Sequence, residues 1–211
     1  MLDDYPLASE RAAMEQMERE KGKMSHTKQY LIETATIATQ IDADKIEAMV
    51  AELVALRERS GRLCIIGLGG SAANASHAVN DFRRLCDIDA YTPLDNVAEL
   101  TAAANDDGWD SIFDSVLQWL TPGDKVLVLS VGGGSNEVSR PISKLAVHLP
   151  PSMLMGIIGR DGGLTAKHAG HFVIVPTVKA ERVTPHTEGW QSVILHAIVS
   201  HPDLQKRRTK W

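Results

Sequence analysis

The sequence predicts an α/β fold: a three-layer sandwich around a central, mostly parallel sheet, preceded by an N-terminal helical extension. Three observations carry this expectation. Short uninterrupted runs rich in Val and Ile recur after residue 60, the pattern of strands buried on both faces. Most of these runs pass through a glycine or polar turn into a helical stretch, the rhythm that builds parallel sheets. The first 59 residues lack such runs and read as helix almost throughout.

The elements follow in order. ASERAAMEQMEREKGKM (8–24) is polar and predicts an exposed or partly ordered helix. HTKQYLIETATIATQI (26–41) has an apolar face, and DADKIEAMVAELVALRER (42–59) opens on Asp42, a side chain suited to accept from the amides of a first helical turn. This 1–59 segment either decorates the edge of the core or forms an oligomerising bundle with sister chains. The core domain is expected over 60–205, with strands near 62–67, 125–130, 153–158 and 171–175 and a weaker strand in DIDAYTPLD (87–95). VAELTAAANDDGWDSIFDSVLQWL (97–120) reads as helix, loop, helix. The final helix lies in TPHTEGWQSVILHAIVSHPDLQ (184–205), with Pro185 near its start and Pro202 past its end. KRRTKW (206–211) reads as a solvated basic tail.

The composition, 44% hydrophobic and 23% charged over 211 residues, is that of a soluble globular chain. A net charge of -5 speaks against general nucleic-acid binding, which needs a basic face. No apolar run approaches the roughly 20 residues that cross a bilayer, and MLDDYPLASER has no secretory pattern. Cys64 and Cys86 have no metal-type spacing and read as buried thiols of a reducing compartment. A cytoplasmic protein with neither nucleic-acid nor membrane partners is expected.

Two turns share one form: GLGGS (67–71) and SVGGGS (130–135), each following a strand. Glycine allows positive φ and close approach of the backbone to a ligand. A helix beginning at such a turn points amide N–H groups and the positive end of its dipole at an anion, with the hydroxyls of Ser71, Ser130 and Ser135 as further donors. Neither turn is a nucleotide P-loop, and Ala72 stands where a dinucleotide fingerprint needs glycine, so a sugar phosphate is the expected anion.

His77 and Asp81, four residues apart, share a helix face within two turns of the first loop. In the last helix Glu188 and His196 are eight apart. Interconverting an aldose and a ketose needs a base that carries a proton between adjacent carbons, and an acid or metal that polarises the oxygens. Two histidines and two carboxylates suit both tasks, and as ligands they suit a divalent ion such as zinc. Eight helical residues rise about 12 Å. Glu188 must therefore reach inward from a helix starting near it, which Pro185 allows, or another subunit completes the set. His186 is a reserve candidate read as a surface residue, and His148, His168 and His201 read as ordinary surface or hydrogen-bonded histidines.

GLGGSAANASHAVNDF, AANDDGWDSIFDSV, VLVLSVGGGSNEV and the terminal ExxxxxxxH helix resemble the sugar isomerase (SIS) fold, of flavodoxin-like type, and more narrowly the bacterial phosphoheptose isomerases. The resemblance spans about 61–204 and implies conversion of sedoheptulose 7-phosphate to glycero-manno-heptose 7-phosphate by a homotetramer with sites at subunit boundaries. It implies a substrate site at Leu68, Gly69, Gly70 and Ser71, at Asn105 and Asp106, and at Ser130, Val131, Gly132 and Ser135. It also implies His77, Asp81, Glu188 and His196 as metal ligands, and Asp81, Glu188 and His196 as catalytic groups. The chain departs from the family pattern at four places. Leu68 replaces a usual asparagine, Gly132 and Gly134 replace polar turn residues, Asp81 replaces the catalytic glutamate, and Glu188 replaces a glutamine ligand. Either Asp81 or Glu188 is then the base. A non-catalytic sugar-phosphate sensor or assembly factor is the rival reading, and an isomerase for another sugar phosphate is a third; the retained His77, Asp81 and His196 favour an enzyme.

Overall fold

The computed structural model describes residues 24–208, so nearly all of the helix expected over 8–24, and residues 209–211 of the basic tail, lie outside the described residues. The chain divides into two compact units after Thr39. The first is described by helix α1 (His26–Gln40), whose buried positions are Glu33 and Ile37 and whose Leu31 and Ile32 are exposed.

The second unit holds a five-stranded sheet: β1 (Arg62–Ile66), β2 (Asp89–Tyr91), β3 (Lys125–Ser130), β4 (Leu154–Ile158) and β5 (His171–Ile174). All neighbours are parallel, in the order β2-β1-β3-β4-β5, with Leu63 opposite Lys125, Val126 opposite Leu154 and Met155 opposite His171. Side chains alternate between the faces. Cys64, Ile66, Val126, Val128 and Leu154 pack with Phe113, Val116, Ile142 and Leu145. The layer on that face comprises α5 (Asp114–Trp119), α6 (Arg140–His148) and α7 (Gly163–His168). The other layer comprises α2 (Ala43–Glu58), α3 (Gly70–Cys86) and α8 (Val183–Val199), with α8 in contact with both of its neighbours. Each fully buried aliphatic side chain adds about 1.5–3 kcal/mol of burial, and the central strands are apolar on both faces for that reason. Among the described residues, no helix is long and apolar enough to cross a membrane.

Helices α2 and α8 differ from the sequence expectation, while the 97–120 stretch keeps its expected order of helix, loop, helix. Helix α2, grouped with the lead-in, packs on β1, β5 and α8 through Met49, Val50, Leu53 and Leu56, one apolar stripe at helical spacing. Asp42 caps it as expected, accepting from the Lys45 N–H at 3.2 Å. The 97–120 stretch becomes α4 (Val97–Asp106), a 3-10 turn (Trp109–Ser111) and α5, broken where Gly108 takes φ +91°. Helix α8 starts at Val183, ahead of Glu188, because Pro185 sits in the first turn, where a missing N–H breaks no intrahelical bond.

At the amino ends of the strands, Asp124 collects the Arg62 backbone N–H at 2.8 Å, the Arg62 guanidinium at 2.8 Å and the Thr121 N–H at 2.8 Å. Burial pushes its carboxyl up, but the bonds from Arg62 and Thr121 outweigh that and hold it at about 2. Buried Lys125 is matched in turn by Glu52 at 2.6 Å and by the Ser152 carbonyl at 2.7 Å. Both cysteines are free and buried, and burial raises each thiol to about 12.

Because the Asp124 carboxyl lies below its ordinary 3.8 when folded, its stabilisation is present above that pH and is lost as pH falls towards 2. Urea titrations should show stability falling through that window. Asp124→Asn is expected to cost about 2 kcal/mol at neutral pH and to flatten the acid limb.

Candidate functional site

The first glycine turn leaves β1 and enters α3 with Gly69 at φ +60° and ψ -127°, a conformation that glycine alone takes readily. Gly67 has no room for a side chain: a Cβ there would lie 2.6 Å from the Ser71 carbonyl oxygen. Ser71 is buried in the first turn of α3, and Leu68 packs against the core of the α5/α6 layer.

The second turn is braced from behind. Ser130 Oγ accepts from the Gly133 N–H at 3.0 Å, and Gly133 and Gly134 take φ +57° and +84°. Thr165, fully buried, donates its N–H at 2.9 Å and its hydroxyl at 3.1 Å to the Gly133 carbonyl. A Cβ on Gly133 would sit 1.9 Å from the Gly162 carbonyl oxygen. The second turn thus rests directly on the Gly162–Gly163 turn that follows β4. A single 3-10 turn (Glu137–Ser139) intervenes before α6, so no long helix begins at the second loop as it does at the first.

Between the two turns lies a pocket of about 150 Å³ lined by Leu68, Ser71, Ser130, Val131 and Gly132, all expected from the sequence, and by Asn136 and Ser139, which were not. Asn136 and Ser139 bond each other as a capping box, and the N-x-x-S spacing within SNEVS was the available signal. Ligand pockets usually measure about 300–1,000 Å³, so this volume suits one end of a ligand. Ser135 is exposed and Gly69 and Gly70 lie outside the lining, although all three belong to the turns that frame it. Asn105 and Asp106 do not reach the pocket: they end α4 exposed, with Asn105 Nδ2 donating to Asp106 Oδ1 at 2.7 Å. A larger cavity of about 480 Å³ runs along edge strand β2, past Arg62, Tyr91 and Trp119. It contains none of the expected site residues, and its Arg62 is already engaged by Asp124.

Further along α3, three expected side chains meet. His77 Nε2 and His196 Nε2 are 3.1 Å apart, and Asp81 Oδ2 lies 3.2 Å from the first and 3.6 Å from the second. The imidazoles cross edge to face at 84°, and each is more than half exposed, whereas Asp81 is 7% exposed. Asp81 Oδ1 is held by the Asn80 amide at 3.1 Å, which leaves Oδ2 for the imidazoles. The three ligand atoms all lie within 4.8 Å of one another. Ligands of tetrahedral zinc, at about 2.0–2.1 Å from the ion, stand roughly 3.4 Å apart. The separations here and the two-nitrogen, one-oxygen donor set fit such an ion.

Glu188 does not join them within the chain. Its carboxylate lies over the start of α3, where a Cβ on Gly70 would fall 2.4 Å from Oε2. The reason is the helical rise between Glu188 and His196, about 12 Å, now that both sit well inside α8. His186 is buried, at 3% exposure, and is not the surface residue expected.

Comparison with known proteins agrees with this architecture. No family model matches the chain. The phosphoheptose isomerase of Syntrophotalea carbinolica is 32% identical over 159 residues, covering 72% of this chain and 78% of the relative. That of Mycobacterium tuberculosis is 30% identical over 182 residues, covering 81% and 89%. This chain belongs to the phosphoheptose isomerase family. Among solved structures, phosphoheptose isomerase GmhA from Neisseria gonorrhoeae matches with a TM-score of 0.66 at 22% identity, covering 92% of this chain and 98% of that one. A phosphoheptose isomerase from Francisella tularensis gives a TM-score of 0.69 at 20% identity, covering 83% and 97%. These structures share its fold, and the family makes the chain an isomerase with a parallel sheet of SIS type.

The bracing of the second turn is open to test. Gly133→Ala places a Cβ against the Gly162 carbonyl at positive φ and is expected to cost about 3 kcal/mol or more. Gly132→Ala meets only the rotatable Ser135 hydroxyl and should cost far less. Thermal melts of the two variants check the contrast.

Proposed function

We propose that this isomerase converts sedoheptulose 7-phosphate to D-glycero-D-manno-heptose 7-phosphate through an enediol, with Asp81 as the base. The observation that carries the reading is the meeting of buried Asp81 and of His77, on the helix that starts at the phosphate-sized pocket, with His196 of α8. Six helical residues, about 9 Å of rise, separate Ser71 from His77. A substrate spanning them carries its phosphate several carbons away from the reacting pair, as a 7-phosphate ester does.

In this reading Ser71, Ser130 and the amides of the second turn bind the ester phosphate. Asp81 takes a proton from C1 of the ketose while the C2 oxygen gains one, which gives the enediol. The C1 hydroxyl then loses its proton, and Asp81 returns a proton to C2. His196, beside Asp81, moves the proton between the two oxygens. Zinc held by His77, Asp81 and His196 would polarise the substrate oxygens in place of the His196 shuttle, because a nitrogen that ligates the ion cannot also carry the proton. The geometry favours Asp81 over Glu188 because only Asp81 faces the imidazoles, while Glu188 stands at the pocket end of α3. The half-exposed imidazoles also support a homotetramer in which a sister chain closes the site and completes the ligand set.

Incubation with sedoheptulose 7-phosphate in deuterated water, followed by NMR, should place deuterium on the carbon next to the carbonyl, and a chelator should abolish turnover. Asp81→Asn is expected to lower kcat by about 10²–10⁴, whereas Glu188→Gln retains measurable turnover. The opposite pattern would move the base to Glu188. Binding without turnover of any heptose or hexose phosphate would leave a sensor.

A further inference from the structure

We infer that Asn74, Gln191 and Ser192 form a polar clamp that positions α3 against α8 and thereby sets the spacing of His77, Asp81 and His196. The inference rests on the reading of those three groups as a metal and proton-transfer set, but not on the identity of the sugar. Asn74 Nδ2 donates to the Glu188 carbonyl at 2.9 Å and to Gln191 Oε1 at 3.1 Å. Its Oδ1 accepts from the Ser192 hydroxyl at 2.9 Å. Gln191, fully buried, donates onward to the Ile157 carbonyl of β4 at 3.4 Å, which ties the clamp to the sheet.

The clamp lies about one helical turn before the histidines on both helices: Asn74 precedes His77, and Gln191 and Ser192 precede His196. The two helices run in the same direction, since Asn74 meets the Glu188–Ser192 turn while Cys86, at the far end of α3, reaches the Val199 carbonyl. Elsewhere α3 and α8 bury apolar side chains such as Ala75, Ala78, Leu195 and Ile198. Apolar contact is non-directional and tolerates sliding, whereas hydrogen bonds have fixed lengths and angles. A slip of one turn, about 5.4 Å, would part imidazoles now 3.1 Å from each other. All three clamp side chains are uncharged, so they set this distance without adding a charge beside Asp81.

The test is zinc affinity, measured by competition with a chelator, for the unsubstituted protein and for Asn74→Ala and Gln191→Met. Groups that orient metal ligands typically change affinity by about 10–100-fold when replaced, and a loss in that range is expected for both variants. In sugar-phosphate kinetics kcat should fall while KM stays nearly constant, because the pocket residues are untouched. Leu145→Val, in the core on the opposite face of the sheet, should soften the protein without changing zinc affinity. If Asn74→Ala fails to fold, Ser192→Ala removes a single bond of the clamp and should show a smaller loss in the same direction. Zinc affinity within twofold of the parent in the folded clamp variants, or an equal loss in Leu145→Val, would overturn the clamp while leaving the isomerase reading intact. A parent protein that binds no zinc would overturn the clamp's role together with the metal. Zinc binding that depends on the clamp in a protein without turnover would uphold the clamp and sink only the reaction.

Discussion

The side-by-side, same-direction packing of α3 and α8 is the constraint on which the site depends. His77 and Asp81 come from one helix and His196 from the other, so neither helix alone carries the cluster. A parallel sheet produces such packing because every connection returns to the same end of the sheet before the next strand begins. Helices that share a face therefore run together, and residues at matching depths along them become neighbours. The apolar strands beneath both helices hold that arrangement, and the hydrogen bonds between the helices give it a defined register.

The same topology separates the pocket from the side-chain cluster. Turns at the carboxyl ends of β1 and β3 frame the small pocket, with glycines at positive φ and a buried threonine behind them. His77 lies about two turns further along α3, where His196 of α8 meets it. Glu188 stands at the boundary, its carboxylate over the first residue of α3, where the helix dipole favours negative charge. The pocket and the His77–Asp81–His196 cluster thus border successive stretches of α3.

Much of this was legible in the sequence. The strands appear where the Val- and Ile-rich runs lie, within a residue or so, since a strand buried on both faces leaves little else in its composition. His77 and Asp81 were readable as a pair because four residues on a helix fix a shared face before any tertiary contact forms. Their meeting with His196 followed from resemblance to a family and not from spacing, as did the place of Val131 in the pocket, whereas Ser130 was readable from its glycine turn. Thr165 and Asn74 carried no signal of their own: each looks like an ordinary helical polar residue until the segment it braces is in view. Asn105 and Asp106 show the converse. The motif was present, yet in this chain their side chains bond each other at the end of α4 instead of turning to the pocket.

What the sequence determined by itself is local: which stretches become strand or helix, where glycine permits a turn, and which side chains share a helical face. These follow from periodicities of about two and 3.6 residues and from steric freedom at single positions. Only the tertiary structure decided that Glu188 parts from His196, that His186 is buried, and that α2 joins the sheet. Those outcomes depend on which faces are pressed together across more than a hundred residues of chain, and side-chain burial and hydrogen-bond partners exist only once that packing has formed.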